Sequence, residues 1–533
     1  MAEHRYEELE SLLAQAPAGR HWKGIGVRPR RGVCTPLSAL RSERDCGVGD
    51  VADLESLVDW CEQVGLNVIQ LLPVNDMGLD CVPYSALSAF ALDPVFIALD
   101  RVDEIRDDPM LSVRIRDLAK RTNEMVRIPF QQVRREKLDV LAEAFRRAYR
   151  PSLRSALERF EAANSWLAEY LPYRVLKEEH DFRSWEDWGQ HYPDRDSVRS
   201  FLTTHDGRRT FHLYLQWLLA NQFRQARAYA QSKGVLLKGD IPILVSRDSA
   251  DVWQHPDLFF LDTDAGAPPD MYAADGQVWG FPTYNWEALA ETDYRWWRER
   301  LAYAQNFFDL YRIDHVVGFF RIWTVRHGMN HGRDGWFVPR NEDYWGEHGR
   351  KLLTMMLDAS QMLPLAEDLG TIPDVTREVM AELGICGLKV QRWEKLWHEG
   401  ARIISPADYQ PLSVATVSTH DSETLAGWWK ACPEERQPLW EAIGRSGQCP
   451  DNLEPGLHRA ILRWVAQGKA LFTIYMLQEY LQPFGLLPGE PEEHRINIPG
   501  TVADTNWTWR CPVTLEKMLS DENLCMGVES IFK

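Results

Sequence analysis

The sequence predicts an α/β protein, a (β/α)8 TIM barrel with large, mainly helical insertions, and three observations favour this fold class. Short apolar runs typical of buried parallel strands recur along the chain and alternate with helical patterns. Three of these runs lead into acidic motifs, which are Arg312-Ile313-Asp314-His315, Ala366-Glu367-Asp368-Leu369-Gly370 and Ser418-Thr419-His420-Asp421. Gaps of about 50 residues separate the motifs, enough for one or two strand and helix units. Because the carboxyl ends of parallel strands meet at one mouth of a barrel, the three acids are expected to converge there.

The amino-terminal part of the chain begins with a strand, helix, strand pattern. Residues 1–30 read as a helical lead-in and a turn rich in Gly, Arg and Pro, and residues 32–37 are predicted to form the first strand. A helix is expected over 53–64, because its apolar residues recur on one face and a glycine follows as a stop signal. The second strand is expected over 67–73, a continuous apolar run ended by Pro, and a loop rich in hydroxyl groups follows over 83–90.

Two insertions are expected between the early strands. Residues 100–233 are charged and helix-forming, with amphipathic faces, and we interpret them as a mostly helical insertion between strands two and three. The third strand is predicted over 235–242. Residues 244–305 are expected to form a second insertion of loops and helices.

Five further strands complete the predicted barrel. Apolar runs that precede the acidic motifs give three of them, at 307–311, 362–365 and 414–417, and another is predicted at 387–391. The eighth is expected before Ile498-Pro499-Gly500. No flexible linker or internal repeat divides the chain, so we predict a single domain over residues 1–533.

Composition excludes several classes of protein. The 533 residues are 45% hydrophobic and 26% charged, as in globular proteins. The net charge of −18 disfavours nucleic acid and anionic membranes as partners. The first residues are too charged for a signal peptide and no apolar stretch approaches ~20 residues, so a cytoplasmic location is expected. Nine cysteines without a CxxC or Cys/His cluster indicate neither a disulfide framework nor a metal site.

Tryptophan is unusually abundant, with 22 residues. Large side chains of this kind pack in cores and between helices, which is the interpretation we favour for Trp296, Trp297, Trp428 and Trp429. Many of the others lie near Gly, Pro or Asn instead of in periodic apolar runs. Flat aromatic surfaces in loops are also suited to packing against the apolar faces of sugar rings.

The first two acids suit a retaining glycosidic transfer, which needs a carboxylate nucleophile and a carboxylic acid about 5–5.5 Å apart. Asp314 suits the nucleophile, because Arg312 projects to the same side of a strand and can hold its carboxylate ionised. Glu367 suits the acid, because a neighbouring anion raises the pKa of a carboxyl group. Taken separately, Arg312 and Asp314 could form a structural ion pair, and Glu367 could mark a helix entrance.

The third acid completes the set. Asp421, beside His420, suits a carboxylate that binds sugar hydroxyls and stabilises a positively charged transition state. By itself it could equally be the N-cap of a helix that begins after it. Three such coincidences at three strand ends, in one order, favour one active site.

Taken in order, the three acidic motifs resemble the catalytic signatures of the 4-α-glucanotransferases called amylomaltases or disproportionating enzymes, glycoside hydrolase family 77. The resemblance covers nearly the whole chain through further motifs, which are Gly47-Val48-Gly49-Asp50, Pro83-Tyr84-Ser85, Ser88-Ala89-Phe90, Gly239-Asp240-Ile241-Pro242-Ile243, Pro268-Pro269-Asp270, Gly276-Gln277-Val278-Trp279-Gly280 and Asn506-Trp507-Thr508-Trp509-Arg510. Residues 266–270 and 279–286 look most similar to the subgroup of the plant cytosolic maltose-metabolising enzyme and some bacterial relatives.

The resemblance implies functions for particular residues. It implies Asp314 as nucleophile, Glu367 as acid/base and Asp421 as transition-state stabiliser. It also implies a set of substrate-binding residues, which are Arg312, His420, Tyr84, Asp240, Trp279 and Asn506, and a contribution of residues 244–305 to the glucan site. The implied partners are α-1,4-glucans and malto-oligosaccharides, without a metal or an organic cofactor, and the oligomeric state stays open.

Two departures from the family pattern concern the acceptor side. Met271-Tyr272 stands where the family usually has Tyr-Phe, and the loop between Leu261 and Gly266 looks shorter than in typical bacterial members. That loop lies over acceptor subsites in the family, so the length of the preferred acceptor stays open.

We therefore expect a 4-α-glucanotransferase that transfers a segment of a 1,4-α-glucan to the 4-hydroxyl of an acceptor glucan or glucose, with retention of configuration. The nearest alternative is an α-glucan hydrolase with the same three carboxylates. A glucan-binding or regulatory protein on an inactive enzyme fold is a second alternative, whose mark would be loss of one carboxylate. The sequence does not distinguish maltose, maltotriose and longer glucans as donors.

Overall fold

A barrel of eight parallel strands lies at the centre of the computed structural model, which describes residues 2–189, 195–269 and 273–533. The barrel strands are β1 (Arg30–Thr35), β2 (Val68–Leu71), β3 (Leu236–Ile241), β4 (Leu310–Ile313), β5 (Leu363–Ala366), β6 (Gly387–Val390), β7 (Ser413–Thr416) and β8 (Phe472–Met476). They are buried along nearly all of their length, which agrees with their continuous apolar sequences.

Closure of the barrel follows the order of the chain. Each strand pairs in parallel with the next, and β8 pairs with β1, where Gly32 lies opposite Ile474. The pairing between β5 and β6 is limited to one bridge, which joins Leu365 to Cys386. There the Ala366 N–H donates to the Cys386 carbonyl at 2.8 Å. The predicted (β/α)8 fold class is confirmed.

The helix predicted over 53–64 is confirmed as Asp53–Val64. Its apolar face, which includes Leu54 and Leu57, is buried. Gly65 ends the helix at φ 76°, in the left-handed conformation that glycine adopts without steric cost. The helical lead-in is present as Ala2–Gln15 and Gly19–Ile25.

Helices fill the long connection between β2 and β3. They are Asp103–Arg106, Pro109–Thr122, Phe130–Ala148, Pro151–Ala162, Leu167–Glu179, Arg195–Thr204 and Asp206–Ser232. In the described part of the chain, no helix of this connection or of any other segment is long and apolar enough to cross a membrane.

Residues 244–305 contain short β-strands in addition to the loops and helices that we expected. The helices are Ala250–Gln254, Trp286–Glu291 and Arg295–Ala304. A four-stranded antiparallel sheet contains two strands of this segment, Thr263–Ala267 and Gln277–Val278, and two later strands, Ile322–Arg326 and Trp336–Val338. A separate two-stranded sheet pairs Phe259–Phe260 with Thr283–Tyr284. Strands this short carry too few alternating residues to be recognised by periodicity.

The carboxyl-terminal part supplies the remaining helices. They are Trp345–Ala359, Asp374–Leu383, Leu425–Ala431, Pro433–Ala442, Pro455–Ala466, Leu477–Leu481, Leu515–Ser520 and Glu522–Ile531, and a small hairpin pairs Lys395–Leu396 with Arg402–Ile403. The eighth strand ends at Met476, well before the position expected next to Ile498. The intervening chain is rich in Pro, Gly and Glu and forms a short helix and loops instead.

The tryptophans divide between core and cavity. Trp296, Trp297, Trp428 and Trp429 are buried, as predicted. Several tryptophans near Gly, Pro or Asn in the sequence are buried as well, for example Trp345 and Trp509. A position near these residues therefore does not by itself identify a sugar-binding surface. Trp279, Trp393 and Trp507 do line the main cavity.

Candidate active site

A cavity of about 390 Å³ opens at the carboxyl ends of the barrel strands and is lined by all three predicted acids. Asp314 and Glu367 are the first residues after β4 and β5. Asp421 lies in the turn that follows β7. The convergence expected from strand-end placement is present.

Local structure excludes two of the alternative interpretations. The helix after Asp421 begins at Leu425, and its N-cap is Thr424, whose side chain accepts the Gly427 N–H. The helix after Glu367 begins only at Asp374. Neither acid therefore serves as a helix cap.

One guanidinium group connects the acids. Arg312 Nη1 lies 2.7 Å from Asp314 Oδ1 and donates to both carboxylate oxygens of Asp240, at 2.9 and 3.0 Å. Arg312 Nη2 lies 3.4 Å from Glu367 Oε2. Burial opposes the charge of Arg312, but Asp240 and Asp314 outweigh it and hold its pKa well above the usual range. The cation therefore organises three carboxylates at once.

Glu367 is placed as an acid. Its side chain is 11% exposed, and it accepts backbone N–H groups from His315 at Oε2 and from Leu369 at Oε1, both at 2.9 Å. Burial raises the pKa of Glu367 to about 7, against the opposing effect of Arg312 and with the help of the negative charge on Asp314. A substantial protonated fraction is therefore present at neutral pH.

Asp421 is placed as an anion. Its side chain keeps 44% of its surface exposed, with Oδ2 at 3.2 Å from His420 Nε2 and Oδ1 accepting from Asn497 Nδ2 at 2.7 Å. Withdrawal from solvent opposes its ionisation, but His420 and the Asn497 amide outweigh this effect and lower the pKa of Asp421 to about 2. The Arg495 guanidinium also donates to the Asp421 carbonyl at 2.8 Å.

Tyr84 lines one end of the cavity, whereas its partner Asp240 has a fully buried side chain and does not line the cavity. The Tyr84 ring stacks on His420 with centroids 5.5 Å apart, and its O–H donates to Asp240 Oδ2 at 2.8 Å. Burial raises the pKa of Tyr84 well above its usual range, and the neighbouring Asp240 carboxylate adds to the effect. Burial also raises the pKa of Asp240, although Arg312 opposes this.

The floor of the cavity reaches into the barrel interior. Lys238 on β3 is buried there, and its ammonium donates to Gln70 Oε1 on β2 at 2.9 Å. Burial lowers the pKa of Lys238 to about 8.

Trp279 lies near the acid. Its ring stands perpendicular to that of His315, with centroids 5.1 Å apart, and its indole N–H donates to Gln277 Oε1 at 3.0 Å. Because the His315 backbone N–H holds Glu367, Trp279 lies on the Glu367 side of the cavity. This contact connects the 244–305 segment to the acid.

Asn506, which the resemblance assigns to substrate binding, makes side-chain hydrogen bonds within its own loop. Its Oδ1 accepts the Ile498 N–H at 3.2 Å, and its Nδ2 donates to the Thr501 carbonyl at 3.0 Å. The adjacent Trp507, which adopts φ 63°, lines the cavity instead.

Two residues near Asp421 escaped prediction. Asn497 and Arg495 contact it from a loop, where polar residues follow no periodicity that would reveal their direction. Their only signal was their position just before Pro499-Gly500. The motif residue Asp270 and the departures at Met271-Tyr272 lie outside the described residues.

In chemical terms, the cavity brings a protonatable carboxyl group beside two carboxylates. Acid catalysis by Glu367 and attack by Asp314 can therefore act on one substrate. Within the described part of the chain no group of three or more His, Cys, Asp or Glu side chains is arranged to hold a metal ion.

Comparison with known proteins identifies relatives along the whole chain. The sequence profile of the family described as 4-alpha-glucanotransferase, glycoside hydrolase family 77, matches residues 35–515. A 4-alpha-glucanotransferase of Chlamydia pneumoniae is 36% identical over 97% of this chain and 98% of its own length. A rice 4-alpha-glucanotransferase is 28% identical over 98% of this chain and 70% of its own length.

Solved structures share the architecture. An amylomaltase from Streptococcus agalactiae, in complex with acarbose, superposes with a TM-score of 0.81 at 24% identity and covers 95% of this chain and 98% of its own. An amylomaltase from Corynebacterium glutamicum gives a TM-score of 0.77 at 22% identity, with 97% of this chain and 76% of its own covered. At these identities the likeness bears on the fold.

Proposed function

The chain belongs to the 4-alpha-glucanotransferase family, glycoside hydrolase family 77, and from this premise we propose how its site transfers a segment of a 1,4-α-glucan to the 4-hydroxyl of an acceptor glucan or glucose. The protein is an enzyme, a 4-α-glucanotransferase. The observation that carries the mechanism is the contrast between Glu367, with a pKa of about 7, and Asp421, with a pKa of about 2, in one cavity. The same cavity thus contains an acid, Glu367, and an anion, Asp421.

The first half-reaction breaks the donor glycosidic bond. Glu367 gives its proton to the bridging oxygen, while Asp314 attacks the anomeric carbon and forms a β-linked glycosyl-enzyme. The proton leaves with the released glucan end. Asp421 stabilises the positive charge that develops on the sugar ring in the transition state.

The second half-reaction uses Glu367 as a base. The 4-hydroxyl of the acceptor gives its proton to Glu367 and attacks the anomeric carbon, and Asp314 leaves as a carboxylate. Two inversions give net retention of configuration. The acid form of Glu367 is restored for the next cycle.

The surrounding residues bind the sugars. Arg312 and His420 contact the catalytic acids, Tyr84 lines the donor end of the cavity, and the buried Asp240 accepts hydrogen bonds from Tyr84 and Arg312. We assign Trp279, from the 244–305 segment, to the acceptor side because it lies beside the residues that hold Glu367. We add Trp507, which lines the cavity, to the proposed substrate-binding residues.

Transfer has to compete with hydrolysis by water. Binding energy that positions a sugar hydroxyl near the intermediate, together with exclusion of water, favours transfer. Trp279, Trp393 and Trp507 line the cavity and supply apolar surfaces for sugar rings. Malto-oligosaccharides, including maltose, and longer glucans such as glycogen are the substrates we propose, and a cytoplasmic location stays a prediction.

Incubation with maltotriose distinguishes transfer from hydrolysis. We expect glucose and a ladder of longer oligosaccharides, with little increase in total reducing ends, because each transfer breaks one glycosidic bond and forms another. Chromatography of the products and a reducing-end assay give both quantities. Steady growth of reducing ends would instead establish the α-glucan hydrolase.

Substitution of the nucleophile tests the assignment of Asp314. Asp314→Asn should lower transfer by roughly 10⁴-fold or more, because the covalent catalyst is lost. The exposed Asp451, whose side chain is 94% exposed, offers a matched control in Asp451→Asn. Circular dichroism of both variants checks folding, and near-normal transfer by Asp314→Asn would refute the assignment.

A further inference from the structure

A second cavity, of about 450 Å³, lies in the antiparallel hairpin formed by Ile322–Arg326 and Trp336–Val338. Its polar lining consists of Arg326, His331, Asp334, Trp336 and Arg340, with Val325 and Met329 as apolar lining. None of these residues lines the catalytic cavity. We call this second cavity the hairpin cavity.

Two unpaired cations set the hairpin cavity apart. Among the described residues, neither Arg326 nor Arg340 has a carboxylate within ion-pair distance, whereas the nearby Arg333 lies 3.1 Å from Asp275. Both arginines are exposed, so their guanidinium groups can reach a ligand from solvent. Such groups bind phosphate oxygens in a bidentate manner.

A histidine in the same cavity has an unused hydrogen-bonding atom. His331 Nδ1 is buried without a hydrogen-bond partner among the described residues. Several other histidines have a ring nitrogen in the same situation, such as His21 and His348, so this atom does not by itself indicate a ligand. The one acid of the lining, Asp334, lies 3.9 Å from His331 Nε2, and its side chain is 78% exposed, so solvent screens its repulsion of an anion.

Trp336 supplies an apolar surface beside the cations. The Arg340 guanidinium lies over the Trp336 ring, 5.3 Å from its centroid. This contact places a cation and an aromatic side chain at one point of the lining. A ligand that carries both an anionic group and an apolar ring face is complementary to the pair.

We propose that the hairpin cavity binds a phosphate-bearing sugar. Arg326 and Arg340 hold the phosphate, and Trp336 contacts the sugar ring. A neutral glucan would leave the two guanidinium groups without a function, which is why the phosphorylated class is favoured.

The hairpin cavity belongs to the same sheet as the acceptor side of the catalytic cavity. The strand order runs from Trp336–Val338 through Ile322–Arg326 and Thr263–Ala267 to Gln277–Val278. Trp279 follows the last of these strands directly. Three strand spacings separate the two edges, a distance of about 15 Å.

Calorimetric titration of the full-length protein tests the proposal. The probes are glucose 6-phosphate, inorganic phosphate and unphosphorylated glucose. We expect one equivalent of glucose 6-phosphate to bind more tightly than inorganic phosphate, and glucose to give no signal that depends on the two arginines. Arg326→Gln and Arg340→Gln should each weaken binding by about tenfold or more, because each removes a charge-assisted contact.

Two further variants separate the possible sources of a signal. Arg333→Gln removes an arginine of the same hairpin that is paired outside the cavity, and it should leave binding unchanged. Trp336→Ala should reduce the affinity for glucose 6-phosphate to that for inorganic phosphate. None of these residues belongs to the catalytic machinery, so transfer from maltotriose should continue in every variant.

Several results would overturn the proposal. Absence of binding by both phosphate probes at millimolar concentrations would reject the site, and equal loss in Arg333→Gln would show general surface attraction. Equal affinity for the two phosphate probes would reject the sugar and leave an inorganic anion. Binding of glucose that survives both arginine substitutions would identify a neutral sugar site instead.

Discussion

Glu367 and Asp421 face one cavity, yet their surroundings place their pKa values at about 7 and about 2. Glu367 lies against the barrel wall, where burial disfavours the anion and two backbone N–H groups only partly offset it. Asp421 projects further into solvent and receives donors from His420 and Asn497. Burial dominates at Glu367, whereas His420 and Asn497 outweigh burial at Asp421, so two residues of the same chemical class take different protonation states.

Glu367 determines how activity depends on pH. Below pH 7 it holds the proton that the first half-reaction needs, and above pH 7 it loses this proton. We expect kcat/KM for maltotriose to fall about tenfold for each pH unit above 7. A profile that stays flat from neutral to alkaline pH, measured in one buffer series, would contradict the assignment of Glu367 as the acid.

The same proton influences stability, which gives a check independent of catalysis. The folded protein binds this proton more tightly than the unfolded chain, so the proton stabilises the fold below pH 4.5, and this contribution is lost as pH rises to about 7. The full loss corresponds to about 3 kcal/mol. Glu367→Gln cannot titrate, so its free energy of unfolding should lack this part of the pH dependence.

The positions of site residues could be predicted from sequence where the residues lie on strands. Arg312 and Asp240 lie on β4 and β3, so the alternation of side chains along a strand determines where they point. Asn497 and Arg495 lie in a loop, where no such rule applies. The direction of the Asn506 side chain could not be predicted from sequence for the same reason, because an amide in a loop can face either substrate or its own backbone.

At the scale of elements, the barrel strands were predictable and the antiparallel sheet was not. Barrel strands are buried on both faces, so they appear as continuous apolar runs. The segment expected to be a shortened loop between Leu261 and Gly266 instead enters the strand Thr263–Ala267. This strand contains glycine and aspartate, which are depleted in strands, and its pairing with distant residues decides its conformation.

Gly266 allows two strands of this sheet to approach closely. A Cβ atom at Gly266 would lie 2.0 Å from the Gln277 carbonyl oxygen, so Gly266→Ala must force Gln277–Val278 away. Trp279 follows directly and would move with it. We expect kcat/KM for maltotriose to fall by about ten- to a hundredfold, because a displacement of about 1 Å can cost this much.

A matched substitution controls for the Gly266 prediction. Gly207 lies in the helix Asp206–Ser232, and a Cβ atom added there would have no neighbouring atom within 4 Å. Gly207→Ala should therefore leave transfer unchanged. Wild-type kinetics for Gly266→Ala would mean that the sheet adjusts without moving the acceptor side.

At the scale of the whole molecule, a buried ion pair ties distant segments together. Arg510 Nη2 lies 2.5 Å from Asp45 Oδ1, and both side chains are fully buried. Arg510 also donates to the Thr122 carbonyl at 3.0 Å. The pair thereby anchors the loop that carries Asn497 and Trp507 to the amino-terminal half and to the helical insertion.

Loss of this ion pair should strongly lower the stability of the folded protein. Arg510→Met should lower the free energy of unfolding by about 3–5 kcal/mol, because Asp45 is left buried without its counter-charge. The exposed pair of Arg350 and Glu382, 2.7 Å apart, offers the control Arg350→Met, which should cost about 1 kcal/mol or less. Urea titrations of both variants compare the two costs, and equal costs would refute the special importance of the buried pair.

The helical insertion between β2 and β3 has a consequence for how the chain reaches its folded state. These strands are neighbours in the barrel, but 164 residues separate Leu71 from Leu236. Closing an open loop of this length costs about 1.5 kcal/mol more than closing one of 30 residues, and it slows the search for the pairing. Collapse of the insertion shortens the effective loop. Early compaction of the insertion would therefore favour the pairing of β2 and β3, and the order of events in folding would then depart from the order of strands in the chain.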